Sequence, residues 1–149
     1  MQTSARTLIA APIEDVYEYV SSLEPGAWPP GTVEMELVGG EPGVVGTMYR
    51  RLVHDGTRDA IYRHALVEAL PEQILTFHST SEDFRHEETY RYEFQAGDDD
   101  QTWLVVQVLT PSSGPSRFWA RIVPFLAQRR TRIYLEGLRG EVEESVAQD

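Results

Sequence analysis

Apolar and polar residues alternate along most of the first 110 positions of the chain. A period of two is typical of β-strands that bury one face, so each alternating stretch predicts a strand. Short segments rich in Gly, Pro and Asp separate these stretches and predict tight turns between antiparallel neighbours. The predicted strands cover residues 3–10, 32–37, 47–54, 57–69, 73–80, 84–95 and 101–110.

A helical period marks a segment near the start of the chain. Ile13, Val16, Tyr17 and Val20 recur with the spacing of one helix face and predict an amphipathic helix over residues 12–21. Prolines and glycines interrupt the segment between this helix and the next strand, so a short second helix or a turn is predicted there.

The last part of the chain predicts one long helix over residues 116–144. Pro124 lies inside this helix and is expected to kink it. The predicted apolar stripe consists of Phe118, Ile122, Phe125 or Leu126, Ile133, Leu138 and Val142.

Together these elements predict an α+β helix-grip fold in a single domain over residues 1–149. Seven antiparallel strands form a sheet that curves around the long C-terminal helix, with two short helices between strands 1 and 2. The concave face is where the long helix can bury its apolar stripe. Since sheet and helix seldom fill such a grip completely, the gap between them is the expected binding site.

Composition excludes several kinds of chemistry. The chain has 149 residues with no Cys, and its 13 basic residues are all Arg. Disulfides, thiolate metal sites and Schiff-base catalysis are therefore excluded. No Gly-rich phosphate loop is present, and we expect no cofactor. No stretch approaches the roughly 18 apolar residues of a membrane helix, and no signal segment is seen, so the cytoplasm is the expected compartment.

The charge of the chain is strongly negative and uneven. A net charge of −11 argues against nucleic acid and against membrane insertion or anionic membranes as partners. Residues 117–139 nevertheless hold six Arg and a single acid, Glu136. This basic segment could lie on an acidic sheet within the molecule, or it could meet an acidic partner or an anionic ligand.

Four short motifs carry a family resemblance. The segment LIAAPIEDVY at 8–17 resembles the I-x-A-P-x-E-x-V-W/F opening of the START-like superfamily, also called SRPBCC or birch-pollen-allergen-like. The Trp-Pro pair at 28–29, VGT at 45–47 and VEALPEQIL at 67–75 are similar to later motifs of that family. The resemblance is closest to the bacterial polyketide cyclase/dehydrase-like branch. It implies the helix-grip fold and a cavity for a small hydrophobic, aromatic, polyketide-like or lipid-like ligand.

Strand alternation then predicts which side chains face this cavity. A two-residue turn at Asp55-Gly56 would place Tyr49 opposite Tyr62. The family-like hairpin leaves Glu68 outside, so Tyr49 and Tyr62 are predicted on the convex face. The predicted concave set is Met48, Arg50, Leu52, Ile61, Arg63, Ala65, Val67, Leu75, Phe77, His86, Glu88, Tyr90, Tyr92, Leu104, Val106 and Val108. Trp103 would join Tyr49, Tyr62 and Leu66 in an outer apolar patch that could support a homodimer.

Two groups of site residues follow from this assignment. His86, Glu88, Tyr90 and Arg63 are candidates for acid–base catalysis, although Glu88 and Arg63 could equally form a structural ion pair. The predicted ligand-binding residues are Trp28, Met48, Arg50, Arg63, Phe77, Tyr90, Tyr92, Val106, Phe118, Trp119 and Ile122.

The histidines raise the question of a metal site. His64, His78 and His86 lie on three successive predicted strands and could hold zinc if all three shared one face. The predicted alternation separates His86 from the other two, so no metal is predicted.

Three functions remain open from the sequence. The first is non-catalytic carriage or sensing of a small hydrophobic molecule, favoured by an apolar grip without a nucleophile. The second is a cyclase/aromatase-like enzyme that uses Tyr, Arg, His or Glu in the same cavity. The third is a protein–protein interaction module that uses the convex patch or the basic helix.

Overall fold

The computed structural model describes residues 1–111 and 119–148, except for the side chains of Asp55 and of residues 119–123. The described part holds seven strands, two α-helices and one 3₁₀ turn at Pro25–Ala27. In chain order the elements are β1 (Gln2–Ile9), α1 (Ile13–Ser21), β2 (Thr32–Gly39), β3 (Met48–Asp55), β4 (Arg58–Leu70), β5 (Ile74–Ser81), β6 (Glu87–Ala96), β7 (Thr102–Leu109) and α2 (Trp119–Ala147).

The strands form one antiparallel sheet in the order β1-β7-β6-β5-β4-β3-β2. Consecutive strands from β2 to β7 are neighbours, and β1 closes the sheet by pairing with β7. The α+β helix-grip prediction is therefore confirmed, including the curved sheet around a long C-terminal helix. None of the helices in the described residues has the length and apolar composition needed to cross a membrane.

Helix α2 is held by an apolar core and by hydrogen bonds to the edge strand β1. Leu135, Leu138 and Val142 are buried against the sheet. The hydroxyl groups of Thr131 and Thr3 lie 2.7 Å apart. Three further side chains of α2 form hydrogen bonds with β1 or with the residue after it. The Gln128 amide bonds the Ser4 backbone, the Glu136 carboxylate accepts from the Thr7 hydroxyl, and the Glu143 carboxylate accepts from the Ala10 N–H.

These contacts set the rotation of α2, and the predicted apolar stripe is only partly right. Leu138 and Val142 are buried, but Phe125, Leu126 and Ile133 are exposed. The polar contacts to β1 turn the helix so that Thr131 and Leu135 face the sheet. The predicted start of the helix at residue 116 and the Phe118 side chain lie outside the described residues, as does the side chain of Ile122.

The β3–β4 hairpin differs from its prediction in register. Asp55 pairs with Arg58, so the two-residue loop is Gly56-Thr57 rather than Asp55-Gly56. Gly56 has a φ of +65°, a conformation that glycine adopts without strain. The pairing moves by two residues, and Tyr49 faces His64 instead of Tyr62. A shift of two residues does not change which side chains of the hairpin share a face.

The prediction of which side of β3 and β4 is concave is wrong, and a β-bulge explains why. Leu66 pairs with Phe77 and Glu68 pairs with Thr76, which leaves Val67 as an extra residue. Glu68 does lie outside, where it bonds Thr76. Because the bulge adds one residue, however, Leu66 faces inward and so does every second residue before it.

The concave side of β3 and β4 therefore carries Tyr49, Arg51, Val53, Tyr62, His64 and Leu66. Seven residues of the predicted concave set do not belong to it: Met48, Arg50, Leu52, Ile61, Arg63, Ala65 and Val67. On β5, β6 and β7 the predicted faces hold, because Leu75, Phe77, Tyr90, Tyr92, Leu104 and Val106 are buried.

The predicted outer apolar patch is consequently wrong. Tyr49 and Leu66 are in the core, and Tyr62 lines the concave side. Trp103 does lie on the convex face, where the Arg6 guanidinium carbon sits 3.9 Å from the centroid of its ring. A patch reduced in this way gives no support to the predicted homodimer.

Candidate functional site

A cavity of about 770 Å³ lies between the concave face of the sheet and the first half of α2. The second half of α2 packs closely on the sheet, whereas the first half presents the small side chains of Ala127 and Thr131 to it. The loop between β5 and β6 forms the opposite rim. The lining residues are Met1, Thr3, Pro30, Tyr62, Phe84, Arg85, His86, Glu87, Glu88, Tyr90, Val108, Thr110, Pro111, Leu126, Ala127, Arg130 and Thr131.

Arg51 of β3 is a buried cation directly behind the cavity wall, with 1% of its side chain exposed. Its guanidinium donates hydrogen bonds to the Thr32 hydroxyl at 2.7 Å, the Ser79 hydroxyl at 3.0 Å and the Pro30 carbonyl at 3.2 Å. A buried charge is tolerated only when its donors are satisfied and a counterion is near. The counterion is Glu88, whose carboxylate lies 3.7 Å away.

Tyr rings line the space between Arg51 and the cavity. The Arg51 guanidinium carbon is 5.2 Å from the centroid of the Tyr62 ring and 5.7 Å from that of Tyr90. Cation–π attraction at such distances stabilises the charge further. The cavity wall therefore combines aromatic faces with a positive charge immediately behind them.

Glu88 and Tyr90 form the polar group that reaches the cavity itself. The Tyr90 hydroxyl donates a hydrogen bond to the Glu88 carboxylate. Burial raises the pKa of Tyr90 well above its ordinary value, and the negative charge of Glu88 raises that pKa further. Tyr90 is thus a neutral phenol and a hydrogen-bond donor at physiological pH.

A second pair of phenols ties the sheet to α2 beneath the cavity. The hydroxyl groups of Tyr92 and Tyr134 lie 2.7 Å apart, and Tyr134 donates to the Ala27 carbonyl at 2.7 Å. Burial raises the pKa of Tyr92 to about 12 and raises the pKa of Tyr134 well above its ordinary value. These tyrosines connect elements and do not open onto the cavity.

His64 of β4 is fully buried between aromatic rings. Its ring stacks on Phe77 at a centroid distance of 4.9 Å and meets the edge of Tyr90 at 6.1 Å. Among the described residues neither ring nitrogen has a hydrogen-bond partner. Burial lowers the pKa of His64 well below its ordinary value of 6.5, and the charge of Arg51 lowers it further. His64 is therefore neutral in the folded protein.

This environment predicts a specific loss of stability in acid. Below about pH 6 the unfolded chain protonates His64 and the folded chain does not, so stability falls by about 1.4 kcal/mol for each pH unit. Above the ordinary pKa of 6.5, His64 is neutral in both the folded and the unfolded chain, and it causes no loss of stability. Urea unfolding from pH 7.5 to 5 should show this dependence for the wild type, and His64→Leu should lose that part of it. The exposed His86 provides the control: His86→Gln should keep the wild-type dependence, and equal slopes in all three proteins would contradict the assignment.

The structure brings three of the predicted catalytic candidates to the cavity. Glu88 and Tyr90 line its wall, and the exposed His86 lines its rim in the loop before β6. Their catalytic roles remain predictions. Arg63 does not join them, because it is exposed on the convex face. The predicted ion pair of Glu88 with Arg63 is wrong, since the partner of Glu88 is Arg51.

Most predicted ligand-binding residues lie elsewhere. Met48 and Arg50 share the convex face with Arg63, because the bulge at Val67 reverses the faces of β3 and β4. Phe77, Tyr92 and Val106 do face inward, but they are fully buried in the closed core.

Trp28 is half-buried, and its indole N–H donates to the Leu23 carbonyl at 2.8 Å. The side chains of Phe118, Trp119 and Ile122 lie outside the described residues. Among the ligand-binding residues predicted from the sequence, Tyr90 is the one that the described cavity wall contains.

The three histidines considered as zinc ligands are separated. His64 faces the core, whereas His78 pairs with Thr89 on the other face of the sheet and bonds its hydroxyl at 3.1 Å. His86 precedes β6 in a loop. Within the described ranges no group of three or more His, Cys, Asp or Glu could hold a metal ion.

Sequence reasoning missed Arg51, Tyr62, Arg130 and Thr131. Arg51 alternates with Tyr49 and Val53, which indicates an inward-facing set. Since Arg50 and Arg51 are both arginines, however, the residue type does not show which of the two faces inward.

Within the described part of the chain, no α2 arginine pairs with a carboxylate of the sheet. Arg139 pairs with Glu136 of its own helix at 2.9 Å. The expectation of a basic helix lying on an acidic sheet is therefore not met there.

Comparisons with known proteins support the fold. No family model and no curated protein matches the chain. Among solved structures it is similar to TTHA0849 from Thermus thermophilus, with 20% identity, a TM-score of 0.74 and coverage of 97% of this chain and 99% of that one. The chain is 18% identical to the Zhui aromatase/cyclase from Streptomyces sp. R1128, with a TM-score of 0.70 and coverage of 98% of this chain and 95% of that one. It is 14% identical to Ara h 8.0201, with a TM-score of 0.65 and coverage of 95% of this chain and 97% of that one.

The family resemblance noted in the sequence is thus confirmed at the level of the fold. The chain shares the helix-grip fold with structures named as aromatase/cyclases, as Ara h 8.0201 and as a major latex-like protein. Identities of 14–20% establish a shared fold. What the cavity binds has to be argued from the residues of this chain.

Proposed function

We propose that this helix-grip chain binds one small, largely apolar molecule in the cavity between the sheet and α2. The observation that carries the proposal is the cavity itself: about 770 Å³ of space lined by Tyr62, Tyr90, Val108 and Leu126, with the polar Glu88 at one wall. Concave, mostly apolar pockets with a few convergent polar groups are the usual form of small-molecule sites.

The expected affinity is moderate. A two-ring aromatic molecule would remove about 200–300 Å² of apolar surface from water, which gives a gross gain of about 5–8 kcal/mol. Loss of translational freedom and ordering of side chains reduce this gain, and the remaining affinity is micromolar to millimolar. Phe84, with 74% of its surface exposed at the rim, supplies a further aromatic face to the bound molecule.

The test is a titration with the neutral fluorescent probe N-phenyl-1-naphthylamine. Saturable binding of one probe per chain, by a protein that keeps its native circular dichroism, is the expected result. Native mass spectrometry gives the stoichiometry independently. Absence of saturable binding up to the solubility limit of the probe would overturn the proposal.

A cyclase-like reaction in the same cavity is the second candidate. The supporting observation is that Tyr90, held neutral by burial, and Glu88 meet at the cavity wall, where a phenol could protonate a carbonyl and a carboxylate could accept a proton. The similarity to a protein named as an aromatase/cyclase agrees with this candidate. An enzyme would cyclise a linear poly-β-ketone faster than buffer and would lose that rate in Tyr90→Phe; an unchanged rate leaves binding as the function.

A further inference from the structure

Two arginine side chains from distant parts of the chain converge on one backbone oxygen. The Pro30 carbonyl accepts a hydrogen bond from Arg51 of β3 at 3.2 Å and another from Arg130 of α2 at 3.0 Å. Pro30 and Arg130 both line the cavity, and Arg51 lies directly behind its wall. The cavity therefore has two guanidinium groups close together at one point.

The carboxylates near these two cations do not balance both positive charges. Glu88 lies 3.7 Å from Arg51 and is the carboxylate that offsets it. In the residues that the structure describes, Arg130 has no carboxylate within ion-pair distance. The lining also holds the exposed Arg85 and Glu87, which carry opposite charges, and the N-terminal ammonium of Met1, which donates to the Thr110 carbonyl. Positive groups therefore outnumber carboxylates at the cavity in a chain whose net charge is −11.

We propose that this point, the Pro30–Arg130 corner, is an anion subsite of the cavity. It rests on the proposed function and names the class of ligand: an apolar body with a single negative charge, as in an aromatic carboxylate, a sulfonate or an enolate. The exposed Arg130 contacts the anion through its N–H groups, since a guanidinium fork matches the oxygens of such groups. Arg51, satisfied by its own partners, contributes through its charge across the wall.

The surrounding charge makes this corner selective. The rest of the chain is strongly acidic and repels anions, so an anionic ligand is attracted where the positive charge is concentrated. The partly enclosed cavity also weakens the screening of that charge by water.

A matched pair of probes tests the subsite. 8-Anilinonaphthalene-1-sulfonate has the skeleton of N-phenyl-1-naphthylamine with one sulfonate added. The wild type should bind the sulfonate about tenfold more tightly than the neutral probe, and Arg130→Gln should remove that preference. Arg132→Gln is the control, because Arg132 is exposed on the same helix and does not line the cavity.

A variant of opposite sign completes the design. Glu88→Gln keeps an acceptor for Tyr90 but removes the charge that offsets Arg51, so the ratio of the affinity for the sulfonate to the affinity for the neutral probe should rise several-fold. Equal affinity for both probes in the wild type, or equal effects of Arg130→Gln and Arg132→Gln, would overturn the anion subsite and leave the proposed function standing. Failure of both probes to bind would overturn both.

Discussion

Replacing Arg51 by Met is expected to lower the free energy of unfolding by about 3–5 kcal/mol, the cost of breaking a buried charged pair. The change leaves Glu88 without its counterion and removes the hydrogen bonds donated to Thr32, Ser79 and Pro30. Urea unfolding followed by circular dichroism measures the difference.

The neighbouring residue gives a matched control. Arg50 precedes Arg51 on the same strand but lies on the convex face, where the side chain is half-exposed. Arg50→Met should change the stability by less than about 0.5 kcal/mol. A larger loss for Arg50→Met than for Arg51→Met would show that the faces of β3 are reversed from the arrangement described above.

Replacing Ala127 by Trp is expected to weaken binding of N-phenyl-1-naphthylamine by about tenfold or more, equivalent to about 1.4 kcal/mol or more of lost binding energy. Ala127 lies on the cavity side of α2, and an indole ring at this position would occupy space that the probe needs. Trp is tolerated in a helix, so the fold should be kept. A fluorescence titration measures the affinity, and far-ultraviolet circular dichroism checks the fold.

The same substitution at Ala147 serves as the control. Ala147 is the last residue of α2, is exposed, and is not part of the cavity lining. Ala147→Trp should bind the probe as the wild type does. If Ala127→Trp stays folded and binds with unchanged affinity, the probe binds at another surface and the cavity is not the site.

The sequence predicted the fold because local patterns and chain order determine it almost completely. Strands that alternate with a period of two and are joined by short turns must pair with their neighbours, and a long amphipathic helix then has one apolar face to cover. The pairing of β1 with β7 is not a local feature. The sequence placed the first strand in the same sheet but did not assign its neighbour, which the structure gives as β7.

The concave face was harder to predict because one residue decides it. Val67 at the bulge reverses the alternation of everything before it on β4 and, through the hairpin, on β3. No residue at positions 66–68 marks a bulge in the way that a glycine often does. Glu88 and Tyr90 were identified correctly as inward-facing because β6 pairs without a register shift on both sides.

Arg130 was missed for a different reason. Phe125 and Ile133 are apolar, and an apolar period alone places them toward the sheet. The structure exposes them because hydrogen bonds between β1 and α2 side chains, among them Thr131 and the accepting carboxylate of Glu136, set the rotation of the helix. Contacts of that kind depend on which strand lies beside the helix, and the period of the helix does not contain that information.

We propose that a ligand binds between the sheet and α2, and a crystal structure of the complex with N-phenyl-1-naphthylamine is the decisive experiment for this claim. The expected result is one probe molecule whose rings contact Tyr90 and Val108 on the sheet side and Leu126 and Ala127 on the helix side. Probe density found only outside this cavity, at full occupancy and with the cavity empty, would contradict the claim.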